Sequence, residues 1–227
     1  MNQLKPILAS HSNFTSILPF NLNREKLTIF DLSANNKTLS TLNFKEKDTF
    51  NKYISNELKK NHSRIGIGKY NEERIIYQWS ELFDKSETAR TIHLGIDLWA
   101  DAGTAIFSPL DGTIHSFQDN NNAGDYGPTI ILQHQLSNIT FYTLYGHLSR
   151  ESLNNLYPGK KIKQGEKFAQ IGTTQVNGNW PPHLHFQIIA DMLGKKGDYP
   201  GVCTKTEREK YLELCPDPNL ILKIKEL

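Results

Sequence analysis

Thr129-Ile-Ile-Leu-Gln-His134 and, after a short break, Thr140-Phe-Tyr-Thr-Leu-Tyr145 are rich in β-branched and aromatic residues and too short for helices. Segments of the same kind recur on both sides: Thr104-Ala-Ile-Phe107, Gly112-Thr-Ile-His-Ser-Phe117, Lys167-Phe-Ala-Gln-Ile171 and Leu184-His-Phe-Gln-Ile-Ile189. Corners between them are supplied by Pro109-Leu-Asp-Gly112, Pro158-Gly159 and Gln164-Gly165, where turn geometry favours Gly, Pro and Asp. Strands this close, without long helices between them, predict a mainly β chain built on an antiparallel sheet or barrel-sandwich over about residues 81–190.

Outward from that block the patterning changes. Phe50, Tyr53, Ile54 and Leu58 recur at helical spacing, which predicts one amphipathic helix over about 45–60 within an N-terminal region of residues 1–80. Ile65-Gly-Ile-Gly-Lys-Tyr70 lacks the four-residue glycine spacing and the Ser or Thr of a phosphate loop. It reads instead as a glycine turn leading into a strand, Arg74-Ile-Ile-Tyr-Gln-Trp79. Ser149 is placed to cap a short helix through Leu156. Within a C-terminal extension, 191–227, Thr206 and Glu209 have capping-box spacing for a short helix through Leu214, ended by Pro216 and Pro218.

The 227 residues carry 26 basic and 24 acidic side chains, a formal charge of +2, which gives no field to draw the chain onto nucleic acid or an anionic membrane. Cys203 and Cys215 are the only cysteines, too few for a disulfide scaffold or a CxxC clip, and are read as free thiols. No stretch is apolar and long enough to span a bilayer, and the start lacks the apolar core of a secretory signal, so a cytoplasmic location is expected.

Function must then lie in a site, and the eight histidines are the place to look. His11 and His62 have polar neighbours and read as exposed; His115 and His134 fall on strands and read as structural. His93-Leu-Gly-Ile-Asp97 pairs an imidazole with a carboxylate, donors suited to Zn2+. On a flat strand they would stand roughly 13 Å apart, so a turn or bulge at Gly95 is needed to join them. His183-Leu-His185 projects two imidazoles from one strand face while Leu184 and Phe186 point into the core. Such a pair can give one ligand to a metal and leave the other beside a reacting oxygen. Tyr142-Thr-Leu-Tyr-Gly-His-Leu148 ends a strand at Gly146 and leaves His147 over a groove.

These three elements in this order resemble the lysostaphin-type zinc endopeptidases, the M23 metallopeptidases. The likeness runs over about residues 91–189 and includes Pro109-Leu-Asp-Gly-Thr113, Tyr145-Gly-His-Leu148 and Gly165-Glu-Lys-Phe-Ala-Gln-Ile-Gly172. It implies a β-rich groove, one zinc ion held by His93, Asp97 and His185, and catalytic work for His147 and His183. It also implies hydrolysis of an amide through a metal-activated water, usually in peptidoglycan peptides. A cytoplasmic chain of this kind would instead turn the same chemistry on a substrate other than cell wall, and a silent relative would only bind a partner, although such relatives have lost ligands and this chain fills all five positions. The turns at 108–112 and 163–166 also resemble those of phosphocarrier and biotinyl or lipoyl domains, which have no use for Asp97 and His185 together.

Overall fold

The computed structural model describes residues 3–44, 46, 48–79, 89–122 and 124–227. In chain order its elements are α1 (Leu4–Ser10), β1 (Leu27–Phe30), α2 (Lys37–Ser40), α3 (Thr49–Lys60), β2 (Ile65–Gly68), β3 (Arg90–His93), β4 (Ile96–Trp99), β5 (Ala105–Phe107), β6 (Gly112–Asn120), β7 (Gly127–Leu136), β8 (Ile139–Gly146), β9 (Lys161–Ile162), β10 (Lys167–Gln170), β11 (His183–Ile189), β12 (Val202–Thr204), α4 (Arg208–Leu214) and α5 (Asn219–Leu222). Eight strands form one sheet in the order β1-β2-β4-β11-β8-β7-β6-β9. Within it β1 and β2 are parallel and the other described neighbours antiparallel. The six strands expected between residues 104 and 189 are all present, extended by a few residues where β6 and β7 run on into a long hairpin.

Alternation on the central strands separates a core from a working face. Ile96 and Leu98 of β4 and Leu184, Phe186 and Ile188 of β11 enter the main hydrophobic cluster, together with Ile130, Leu132 and Tyr145. Leu4 and Leu8 of α1 and Ile221 between α5's ends pack against the same cluster, so both chain ends contribute to it. The opposite face of β4 and β11 carries Asp97, Trp99, His183, His185 and Gln187, and these are buried as well. Cover there comes from two smaller clusters, one around Phe30, Ile54, Tyr77 and Trp99, the other around Ile92, Tyr199, Cys203 and Cys215. Both cysteines are free and buried.

Two strand expectations are corrected. Residues 65–68 are a strand, not a turn: β2 lies between β1 and β4 with all four residues buried. Its glycines serve close packing, since a Cβ at Gly66 would lie 2.4 Å from the Phe30 ring and one at Gly68 2.6 Å from Arg74 and Trp99. The strand expected over 74–79 is replaced by a 3-10 turn, Ile75–Trp79. Glu73 does bridge Ile92, and Arg74 N–H donates to the Thr91 carbonyl. The chain then leaves β3, with Ile75 N–H donating to Leu32 O, because the Arg74 side chain is drawn inward.

The helix limits also move. α3 begins at Thr49 rather than near 45, and after Ser149 only a 3-10 turn, Arg150–Leu153, is formed. The Ser149 hydroxyl meets Ser152 Oγ at 3.1 Å instead of capping a backbone N–H. α4 runs to Leu214 as expected, but Thr204 rather than Thr206 accepts a hydrogen bond at its start, from Glu207 N–H at 3.2 Å.

Candidate metal centre

Asp97 on β4 and His185 on β11 are direct cross-strand partners, a pairing that brings Cβ atoms to about 4.5–5.5 Å. His93 ends β3, the chain breaks regular structure at Leu94 and Gly95, and β4 begins at Ile96. The turn required at Gly95 is therefore present, and it admits no larger residue: a Cβ there would lie 2.5 Å from the His185 ring. The result is a triangle of donor atoms. His93 Nε2 stands 3.0 Å from His185 Nδ1 and 3.3 Å from Asp97 Oδ1, and His185 Nδ1 stands 3.1 Å from the same oxygen.

The proton inventory of this triangle is informative. His93 Nδ1 faces the Lys69 carbonyl at 3.0 Å, an acceptor only, so that nitrogen carries the proton. His185 Nε2 faces Gln187 Oε1 at 2.9 Å. The Gln187 amide is fixed in that sense because its NH2 donates to the Pro200 carbonyl at 3.1 Å. Burial lowers the His93 pKa to about 4, with help from the Arg74 charge, so the ring is neutral at pH 7. In this proton arrangement, Nε2 of His93 and Nδ1 of His185 present lone pairs to each other and to a carboxylate oxygen, with no hydrogen among them. Three buried acceptors converging without a donor are unfavourable unless a cation sits between them. Edges of 3.0–3.3 Å also suit the roughly 3.3–3.5 Å separation of tetrahedral ligands at zinc distances of about 2.0–2.2 Å.

His147 and His183 stand beside the triangle. His147 follows the last residue of β8 in the left-handed region, φ 62°, uncommon for a residue with a side chain and frequent at working sites. It is held there by its N–H donating to Tyr126 O and by Gly172 N–H donating to its carbonyl, both at 2.8 Å. Its Nδ1–H donates to the Asn177 carbonyl at 3.0 Å. His183 Nδ1–H donates to the Pro181 carbonyl at 2.6 Å, while its Nε2 lies 3.9 Å from Asp97 Oδ1. Both rings thus keep Nε2 as the free basic nitrogen, and their centroids are 4.0 Å apart. Burial lowers both pKa values, that of His147 far below the usual imidazole range, where the neighbouring His183 adds to the effect.

All five histidine and aspartate positions singled out in the sequence are therefore brought together, whereas His11, His62, His115 and His134 lie elsewhere. Three contributors were missed. Gln187 continues the same-face alternation of His183 and His185 and was readable by period. Lys69 acts through its backbone carbonyl, which leaves no side-chain signal. Arg74 is 1% exposed and donates from Nη1 to Asp97 Oδ2 at 2.5 Å. Burial alone would raise the Asp97 carboxyl; His93 and Arg74 reverse that and hold it well below the usual carboxylate range. The site opens into a cavity of about 360 Å³ walled by Phe50, Tyr77 and Trp180 on one side and by Tyr126, Asp198 and Tyr199 on another.

Residues 91–198 match the sequence profile of peptidase family M23. That region of the chain is similar to the M23 peptidases. Over 137 residues the chain is 32% identical to an uncharacterized metalloprotease of Haemophilus influenzae, a match covering 58% of this chain and 27% of that protein. It is 33% identical over 104 residues to the peptidoglycan DD-endopeptidase ShyC of Vibrio cholerae, covering 45% of this chain and 21% of ShyC. The matches thus span about a quarter of the length of these relatives. Among solved structures it is similar to a zinc containing peptidase from Vibrio cholerae, with 27% identity, a TM-score of 0.35, and coverage of 43% of this chain and 27% of the other. It is also similar to the catalytic domain of lysostaphin from Staphylococcus simulans, with 22% identity, a TM-score of 0.42, and coverage of 59% and 80%. All five site residues fall inside the M23 region, and Lys69 and Arg74 fall outside it. No described helix is long and apolar enough to cross a membrane.

Proposed function

We propose that the chain is a zinc-dependent metallopeptidase that hydrolyses an amide bond in peptidoglycan peptides. The supporting observation is the donor-free triangle of His93 Nε2, Asp97 Oδ1 and His185 Nδ1, with two neutral histidines directly beside it. The wall substrate is suggested by the DD-endopeptidase activity named for the Vibrio relative.

Zinc held by these three atoms would supply a Lewis acid and a water of lowered pKa. The chain's own groups do the rest. Gln187 and the Lys69 carbonyl fix the two ligand tautomers, so both rings meet the cation with a lone pair. His147 and His183, neutral at pH 7 and anchored through Nδ1–H, each offer Nε2 as a proton acceptor. One can take the proton of the attacking water and pass it to the leaving amine. The other stands against it with ring centroids 4.0 Å apart and offers a second Nε2 through which that proton can be relayed. The aromatic wall and burial of all five groups keep bulk water from screening these interactions.

Metal analysis of the purified protein, followed by mass spectrometry of products from defined muropeptides, tests this reading. The expected result is bound zinc and paired fragments that together contain one added water. Zinc-loaded protein that leaves every muropeptide intact would refute the substrate, and protein that takes up no zinc would refute the mechanism.

A further inference from the structure

Four groups converge on the Arg74 guanidinium. Nη1 donates to Asp97 Oδ2 at 2.5 Å and to the Tyr77 hydroxyl oxygen at 3.1 Å, Nε donates to Glu72 Oε2 at 3.1 Å, and Nη2 donates to the Lys69 carbonyl at 3.3 Å. Glu72 is seated in turn by Leu32 N–H at 3.1 Å and by Lys69 Nζ at 3.4 Å. Arg74, Glu72 and Asp97 are all buried, at 1, 8 and 3% exposure. The missing side chain of Gly68 makes the room, since a Cβ there would stand 2.6 Å from Nη2.

An aspartate with both oxygens free can grip a cation with one or with two of them. Here Oδ1 faces His93 and His185 while Oδ2 is already taken. Glu72 lies between the buried Arg74 guanidinium and the part-exposed Lys69 ammonium and offsets the Arg74 charge, so that Asp97 keeps its negative charge for the cation. Without Glu72 the buried guanidinium would repel it. The same segment supplies the Lys69 carbonyl that sets the His93 tautomer. Two of the three candidate ligands are therefore oriented by residues 69–74, upstream of the M23 region at 91–198.

We propose that Arg74, seated by Glu72, is a positioning residue that restricts Asp97 to one ligating oxygen, so that the N-terminal region completes the metal centre of the peptidase domain. This rests on the zinc reading above. Removing Arg74 alone would strand Glu72 in the interior and risk the fold, so the informative variant is the double replacement Glu72→Gln with Arg74→Met, alongside Arg74→Lys.

The test measures zinc affinity by chelator competition, the visible spectrum of the cobalt-substituted protein, and the melting of the metal-free protein. The double variant is expected to fold but to melt below wild type without metal, because Asp97 Oδ2 loses its donor, to bind zinc about 10–100-fold more weakly, and to show weaker cobalt bands as Asp97 turns both oxygens to the ion. Arg74→Lys should fall between the two. Folded double variant with wild-type cobalt bands and zinc affinity within about twofold would overturn the proposal. If the double variant does not fold, wild-type affinity and spectrum in Arg74→Lys overturn it equally. Wild-type protein that binds no zinc sinks this proposal and the zinc reading together, whereas zinc-binding wild type with unaffected variants sinks this one alone.

Discussion

Two neighbourhoods of buried histidine lie on one sheet and are built on opposite logic. His134 on β7 is 1% exposed, with Nδ1 2.9 Å from the Asp111 carbonyl and Nε2 2.7 Å from Thr143 Oγ1, which also meets the Tyr145 hydroxyl at 3.0 Å. One proton satisfies both nitrogens, so the ring is complete within the protein. His93 is equally buried, yet its Nε2 faces another ring nitrogen and a carboxylate oxygen. The difference teaches that burial and hydrogen-bond distance alone do not mark a metal site. What marks it is a set of acceptors left over after every proton has been placed.

The sharpest way to break this comparison is to remove rings singly. His185→Ala should weaken zinc binding by at least about 100-fold, since it deletes one of the three proposed ligands. His183→Ala should hold zinc nearly as well and lose about 10²–10⁴-fold in turnover of a muropeptide. Metal loss in both variants, or in neither, would show that the division between triangle and flanking pair is wrong. His134→Ala tests the other neighbourhood. It should lower stability by about 2–4 kcal/mol in urea unfolding, because it leaves Asp111 O unpaired and opens a cavity, with zinc affinity unchanged.

A pH series sharpens the same contrast. Burial lowers the His134 pKa from 6.5 to about 4, so as pH falls the unfolded chain takes up the proton first. Stability from this ring is whole above pH 6.5 and declines toward pH 4, by roughly 3 kcal/mol in all. His93, His147 and His183 shift in the same direction, so the share of His134 is read as the loss of slope in His134→Gln between pH 6.5 and 4.5. An unchanged slope would contradict the assignment. The smallest effect is expected at Gly95. A methyl group there must displace the His185 ring it would meet at 2.5 Å and crowd the Phe186 carbonyl at 2.8 Å, so Gly95→Ala should weaken zinc binding about tenfold and also lower the metal-free melt. Equal affinity would mean that the turn, rather than the room it leaves, is what the glycine supplies.

Much of this was legible along the chain because its cause is local. Strands β5 to β8, β10 and β11 were read from residue type and alternation, and a period of two placed His183 and His185 on one face with Leu184 and Phe186 on the other. The break at Gly95 followed from reach, since an unbroken strand holds His93 and Asp97 too far apart. What failed was also local in cause. Ile75, Ile76 and Tyr77 carry strand propensity, but after the Glu73–Ile92 bridge the Ile75 N–H turns to Leu32 O as the Arg74 side chain goes inward, so pairing with β3 does not continue. The glycines of β2 carried a turn signal because no short window shows the rings of Phe30 and Trp99 lying over them.

The sequence by itself determined the short strands, the corners between them and the common face of His183 and His185, all properties of residue type and spacing, while the donor set came from the likeness to the M23 peptidases. Only the tertiary structure decided which nitrogen of each ring is free. It decided this through partners far away in sequence or carried by the backbone: Lys69 O for His93, the Gln187 amide locked by Pro200 O for His185, and the Arg74 guanidinium, which donates to the second oxygen of Asp97. A proton's position is set by its nearest acceptor in space, and spacing along the chain does not encode that neighbour.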